Sequence, residues 1–165
     1  MQVSTTNRIE APLVLHAHTA ADLMIPNPIS IRAEAGINEA MAMFTEKGIT
    51  AAPVIDEAGH PIGVVSRSDL FVHQCEHERH RFGKADYFIA PTFDSQGSPI
   101  PKATTTVADV MTPAVFAVAP ETPVKRVVND MVGLHVHRLF VVDADGVLVG
   151  VVSAMDVIKR LKAES

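Results

Sequence analysis

The chain of 165 residues has no tryptophan, one cysteine (Cys75), and no apolar run near the roughly 18 residues a membrane helix needs. The lone cysteine excludes an intramolecular disulfide and fits a reducing, cytoplasmic setting. The missing apolar run argues against membrane insertion. The first residues, MQVSTTNRIEAPLVLHAHT, hold a short apolar patch from Ala11 to Leu15 and no signal-peptide layout, so residues 1–18 read as an N-terminal arm. Basic residues are also scarce, with 14 Lys and Arg against 19 Asp and Glu and a net charge of −5. A general grip on a nucleic acid polymer needs a basic face and is not expected. There is no Gly-x-Ser-x-Gly elbow, and no histidine is placed by sequence to activate a serine. An enzyme is therefore not expected. Hydrophobic residues, at 47%, are enough for a sizeable core.

What is present is a repeat. TAADLMIP, Thr19 to Pro26, returns as TVADVMTP, Thr106 to Pro113. The same offset carries Glu34 onto Glu121, VIDEAG (Val54 to Gly59) onto VVDADG (Val141 to Gly146), and GVVSRSD onto GVVSAMD. An ungapped register of this length implies two copies of one supersecondary unit.

Each copy reads as β-α-β-β-α. The first strand candidates are PISI, Pro28 to Ile31, and VFAV, Val115 to Val118. Ile37, Ala40, Met41 and Phe44 then recur at helical spacing, with Gly48 as terminator. In the second copy Val124, Val127, Val128 and Met131 do the same, with Thr122 as the expected N-cap and Pro123 as the first helical residue. Two apolar runs around an acidic, Gly-containing turn follow, as in a tight hairpin. A last helix starts at Ser66 or Ser153. One such unit has little core of its own, so two are expected to pack as one pseudo-twofold α/β (α+β) body. The expected segments are the arm (1–18), a first unit with an extended last helix (19–81), a Pro/Gly/Ser/Thr-rich linker loop (82–105) and a second unit (106–165).

The two motifs, DLMIPNPISI…GITAAPVIDEAGHPIGVVSRSDL and DVMTPAVFAV…HRLFVVDADGVLVGVVSAMDV, resemble tandem cystathionine-β-synthase (CBS) domains, a Bateman module. The resemblance implies a regulatory module with two quasi-equivalent sites in a cleft between the units. It implies an adenosine nucleotide (AMP, ADP or ATP) as ligand, with S-adenosylmethionine as a further candidate and no required cofactor. It also implies a homodimer that controls a partner enzyme, channel or transporter, here in trans.

The family's nucleotide motif is glycine, a hydrophobic strand, Ser or Thr, two variable residues and Asp. It stands here as Gly63-Val64-Val65-Ser66-Arg67-Ser68-Asp69 and as Gly150-Val151-Val152-Ser153-Ala154-Met155-Asp156. A helix N-terminus attracts phosphate, a serine hydroxyl adds a hydrogen bond, and a carboxylate one turn later can accept ribose hydroxyls. Ser and Asp at this spacing equally make a capping box, and both readings stay open. Arg67 and Ser68 suit an anion better than Ala154 and Met155 do, which favours the first site. Ser30, Thr50, His137 and Arg138 complete the candidate nucleotide-binding set. Arg138 reads equally as an exposed strand residue. Phe140 stands where the first copy has Pro53, a departure that bears on the second site. His135 and His137 alternate to one face of a strand.

His73, His77 and His80 fall on one helical face beside Glu76. That spacing suits a transition metal or a pH sensor, and equally a solvated helix end. A metal or pH sensor on this stripe and a ligand-free interaction scaffold are the alternatives to nucleotide sensing.

Overall fold

The computed structural model describes residues 11–82 and 105–164, and of 76–82 only the helical backbone. The linker expected at 82–105 and the first ten residues of the arm lie almost wholly outside the described residues. In chain order the elements are β1 (Leu13–Leu15), α1 (Ala20–Leu23), β2 (Ile25–Pro26), β3 (Ile31–Arg32), α2 (Ile37–Lys47), β4 (Ala51–Ile55), β5 (Pro61–Ser66), α3 (Arg67–Phe82), α4 (Val107–Val110), β6 (Ala117–Val118), α5 (Val124–Gly133), β7 (Arg138–Val142), β8 (Leu148–Ser153), α6 (Ala154–Lys159) and β9 (Leu161–Ala163). No described helix is long and apolar enough to cross a membrane.

The chain divides into two packed units that do not follow the repeats in sequence order. One comprises residues 28–115, the other residues 11–27 together with 116–164. In the first, β3 runs parallel to β4 and β4 antiparallel to β5. Ala40 and Phe44 of α2 and Leu70 of α3 close over Ala52, Val54 and Val65 of that sheet. In the second, β6, β7 and β8 repeat this order, and β2 adds an antiparallel edge to β8. Val127 and Met131 of α5 close over Leu139, Val141 and Val152. β1 pairs with β9 from Leu13 opposite Ala163 to Leu15 opposite Leu161, which fastens the described part of the arm to the tail.

The exchange lies in the leading segments. Thr19 to Leu23 opens the first repeat, yet Ala20 and Ala21 donate their N–H groups to the carbonyls of Thr122 and Pro120 at 2.9 Å. Reciprocally, Val107 and Ala108, which open the second repeat, donate to Ala35 and Ala33 at 2.8 and 2.9 Å. Buried Ala20 and Leu23 thus complete one core and buried Val107 the other. Identical local signals in both repeats specify each helix but not which copy it docks on.

The repeated glycines explain how closely these segments pack. A Cβ on Gly63 would stand 2.7 Å from the Thr112 carbonyl oxygen and 2.9 Å from the Met111 sulfur. One on Gly150 would stand 2.5 Å from the Met24 sulfur. Each leading methionine segment lies directly against a glycine of the hairpin, so a side chain at Gly63 displaces backbone and one at Gly150 displaces the Met24 side chain.

Two sequence expectations shift. The Thr122 hydroxyl accepts from the Ala119 N–H at 3.1 Å and closes that turn, and Pro123 stands at the N-cap of α5. His137 stands one residue ahead of β7, and His135 is not a strand residue either. It follows α5 with φ +56, the position where the first repeat ends α2 with Gly48 at φ +65. A Cβ in that left-handed conformation is strained.

Asp22 and Asp109 anchor the short helices α1 and α4. Asp22 Oδ2 accepts from the N–H groups of His18 and Thr19 at 2.8 and 2.9 Å, and Asp109 Oδ2 from that of Thr106 at 2.7 Å. These backbone donors, Thr19 foremost for Asp22 and Thr106 for Asp109, hold both carboxyls below the ordinary aspartate range.

Three outcomes follow. Gly63→Ala forces Thr112 backbone to move and lowers stability by about 2 kcal/mol in denaturant unfolding; an unchanged midpoint contradicts the close approach. His135→Gly relieves the left-handed strain and raises stability by about 0.5–1 kcal/mol, net of the added chain entropy. A depressed folded-state pKa stabilises above the unfolded value near 3.9 and is lost as pH falls through the folded one. Asp22→Asn and Asp109→Asn therefore melt below the parent chain at pH 7, and the gap narrows as pH falls below the ordinary aspartate range; a gap constant with pH contradicts the linkage.

Candidate functional site

Both repeats build the same turn from strand to helix. β5 ends on Ser66 and α3 begins on Arg67; β8 ends on Ser153 and α6 begins on Ala154. The Arg67 N–H donates to the Thr50 carbonyl at 3.0 Å, and the equivalent Ala154 N–H to the His137 carbonyl at 2.9 Å. Register places Ala51 opposite Ser66 and Arg138 opposite Ser153. Thr50, Ser66, Arg67, Ser68 and Asp69 are thus gathered at one turn, and His137, Arg138, Ser153 and Asp156 at another. The two groups belong to different units.

Capping is present at both turns. The Ser66 N–H and hydroxyl each donate to Asp69 Oδ2 at 2.7 Å, and the Asp69 N–H returns to the Ser66 hydroxyl oxygen at 3.3 Å. In the second turn the Ser153 N–H and hydroxyl donate to Asp156 Oδ2 at 2.9 and 2.5 Å, with the Asp156 N–H returned at 3.3 Å. Capping spends one carboxylate oxygen and leaves Oδ1.

The two turns differ at that second oxygen. Asp156 is 9% exposed, and its Oδ1 faces Lys159 Nζ at 3.9 Å. Asp69 is half-buried, and Val72 occupies the place equivalent to Lys159. Among the described residues Asp69 Oδ1 accepts no hydrogen bond, so it can take a hydroxyl donor from a ligand.

Arg67 is engaged through one of its donors. Its guanidinium donates to the Phe44 carbonyl at 2.7 Å, one of the last-turn carbonyls of α2 that have no partner within the helix. At this turn the donors left for an anion are the exposed Ser68 hydroxyl, the Ser68 N–H and the remaining N–H groups of the Arg67 guanidinium, since the backbone N–H groups of Arg67 and Asp69 are already used. Ser30 stands half-buried just ahead of β3. Pro53 has no N–H, and the ladder of β3 starts one residue later than that of β6. In the second repeat Phe140 fills this place, is buried, and donates its N–H to the Phe116 carbonyl at 2.8 Å. Thr50, His137 and Arg138 are exposed.

Of the histidine stripe, His73 is half-buried, and its charge adds a small lowering to the Asp109 carboxyl. The side chains of His77 and His80 lie outside the described residues. Among the described residues no group of three His, Cys, Asp or Glu is placed to hold a metal ion. Sequence reading missed the groove between α2 and α3, lined by Met41, Phe44, Thr45, Leu70, Phe71 and Gln74 beside Arg67. The hydrophobic residues at Met41 and Phe71 were its only signal.

Comparison with known proteins agrees with this geometry. The family model for the CBS domain matches residues 20–75 and 107–163. CBS domain-containing protein CBSX2 of Arabidopsis thaliana, a chloroplastic protein, is 28% identical over 164 residues, covering 94% of this chain and 68% of its own length. Its relative CBSX1 is 31% identical over 129 residues, and the chain spans 54% of that protein. The crystal structure of CBSX2 in complex with AMP superposes with a TM-score of 0.62 at 27% identity, over 87% of this chain and 95% of that one. The cytosolic domain of the Mg2+ channel MgtE in complex with ATP gives 0.62 at 27% identity, over 88% of this chain and 49% of that one. Two matched copies and two shared strand-to-helix turns make this chain a member of the CBS-domain family, with the mixed α/β fold of its tandem pairs.

Proposed function

We propose that the chain is a regulatory module that binds an adenosine nucleotide at the Ser66–Asp69 turn and controls a partner protein in trans. The observation that carries this reading is the open Oδ1 of half-buried Asp69 beside the N-terminus of α3. A carboxylate oxygen there accepts ribose hydroxyls, while the Ser68 N–H and hydroxyl and the remaining Arg67 guanidinium donors meet phosphate. The nucleotides in the CBSX2 and MgtE crystal structures support the ligand class. The second turn is the weaker binder, because Asp156 is buried and its second oxygen is shared with Lys159.

Regulation then follows from thermodynamics. A ligand shifts a conformational equilibrium only by its differential affinity for the states. The regulated protein is an enzyme, channel or transporter that reads the favoured state.

Calorimetry and thermal melting with AMP, ADP, ATP, S-adenosylmethionine and zinc test this. An adenosine nucleotide at about 100 times its Kd stabilises by about 2.7 kcal/mol. Asp69→Asn keeps a cap acceptor but weakens the charge-assisted ribose bonds, costing about 1.5–3 kcal/mol of affinity. Asp156→Asn has the smaller effect. A chain that gives neither heat nor a melting shift with any adenosine compound sinks the proposal. A zinc response lost in His77→Ala would move the function to the histidine stripe.

A further inference from the structure

The two repeats finish their longer leading helix in different ways. Met131 and Val136 are the counterparts of Phe44 and Ile49. In the second repeat the Met131 carbonyl accepts from the Val136 N–H at 3.0 Å, so the backbone closes the end of α5 on itself. In the first, no backbone N–H beyond α2 donates to the Phe44 carbonyl among the described residues. The Arg67 guanidinium takes that place at 2.7 Å, from 23 residues along the chain. The counterpart of Arg67 is Ala154, which has no side-chain donor. The end of α2 thus depends on a cation that the end of α5 does without.

Arg67 holds the connection from α2 to β4 at two points. Its backbone N–H donates to the Thr50 carbonyl at 3.0 Å and its guanidinium to Phe44, so one residue pins residues 44 to 50 at both ends. The same residue opens α3, directly after Ser66. A guanidinium carries five N–H donors in one plane, and a carbonyl on one edge leaves the rest for a phosphate. Phe44 and Thr45, in the last turn of α2, also line the groove between α2 and α3. Order in that turn therefore reaches the outer surface of the unit.

We propose that Arg67 is a positioning residue that couples the phosphate of a bound nucleotide to the last turn of α2. Phosphate fixes the guanidinium in the orientation that caps the Phe44 carbonyl, and the helix end becomes more ordered. The coupling rests on nucleotide binding at the Ser66–Asp69 turn and adds the route by which occupation of that turn is passed on. The second repeat has no such relay, because its helix end is closed by its own backbone. The signal therefore leaves through the unit of residues 28–115.

Amide-resolved hydrogen exchange by NMR on the full chain, with saturating AMP or adenosine, tests the coupling. AMP slows the Thr45 to Lys47 amides about five-fold or more, the lower end of ordinary coupling between sites. Adenosine has the ribose but no phosphate and leaves them unchanged, and Val132 and Gly133 of α5 respond to neither. Arg67→Met keeps the aliphatic stem and removes every donor. Without ligand its Thr45 to Lys47 amides exchange about five-fold faster than in the parent chain, and AMP no longer slows them. Arg67→Lys keeps the charge without the planar fork, so AMP still shifts the turn amides but slows α2 less. AMP that shifts the Ser66 to Asp69 amides yet leaves Thr45 to Lys47 unchanged, or speeds their exchange, overturns the coupling and spares the nucleotide site. Equal exchange in ligand-free Arg67→Met and the parent overturns the coupling without any nucleotide. An AMP titration that moves no amide at the turn overturns site and coupling together.

Discussion

One aspartate oxygen, accepting the backbone N–H three residues before it, starts four helices of this chain. Asp22, Asp69, Asp109 and Asp156 all hold Oδ2 against a preceding Thr or Ser. The first N–H groups of a helix need acceptors, and a carboxylate there also suits the helix dipole. At Asp69 and Asp156 the box fixes the angle between the last hairpin strand and the helix that follows. The proposed nucleotide site is hung on that angle. Because the box uses one oxygen only, cap and ligand contact are compatible at the same residue. What separates the two turns is the fate of the other oxygen, without a hydrogen bond among the described residues at half-buried Asp69 and shared with Lys159 at buried Asp156.

The boxes at Asp22 and Asp109 serve a second purpose. Each holds a short segment of one repeat against the other repeat's hairpin, and the hairpin glycines leave just enough room for it. Neither unit is therefore made of one repeat. The glycine ahead of each Ser-x-x-Asp turn has a steric task of its own, since a Cβ on Gly63 would meet the Thr112 backbone and one on Gly150 would push the Met24 side chain aside. That task holds whether or not a ligand is bound.

Much of this was legible in the sequence. The ungapped repeat, the helical spacing at Ile37 to Phe44 and at Val124 to Met131, the hairpins and the Ser-x-x-Asp turns all carry local physical signals. The exchange of Thr19–Leu23 and Val107–Val110 between units was not legible, because both copies of the segment have the same cap and the same apolar face. His135 resembled a strand residue only because Gly48, its counterpart, was read as a helix end and His135 was not. That one Arg67 donor goes to the Phe44 carbonyl was not legible, since sequence cannot show which helix-end carbonyl lies beside it. The difference between Asp69 and Asp156 depends on burial and on Val72 against Lys159, neither of which the motif itself contains.

The most direct measurement is an amide-resolved NMR titration of the uniformly labelled chain with AMP. Nucleotide binding at the favoured turn shifts the Ser66 to Asp69 amides at concentrations that leave Ser153 to Asp156 little changed. Saturating AMP that moves the second set first, or neither set, would contradict the claim that the open carboxylate oxygen at Asp69 defines the site.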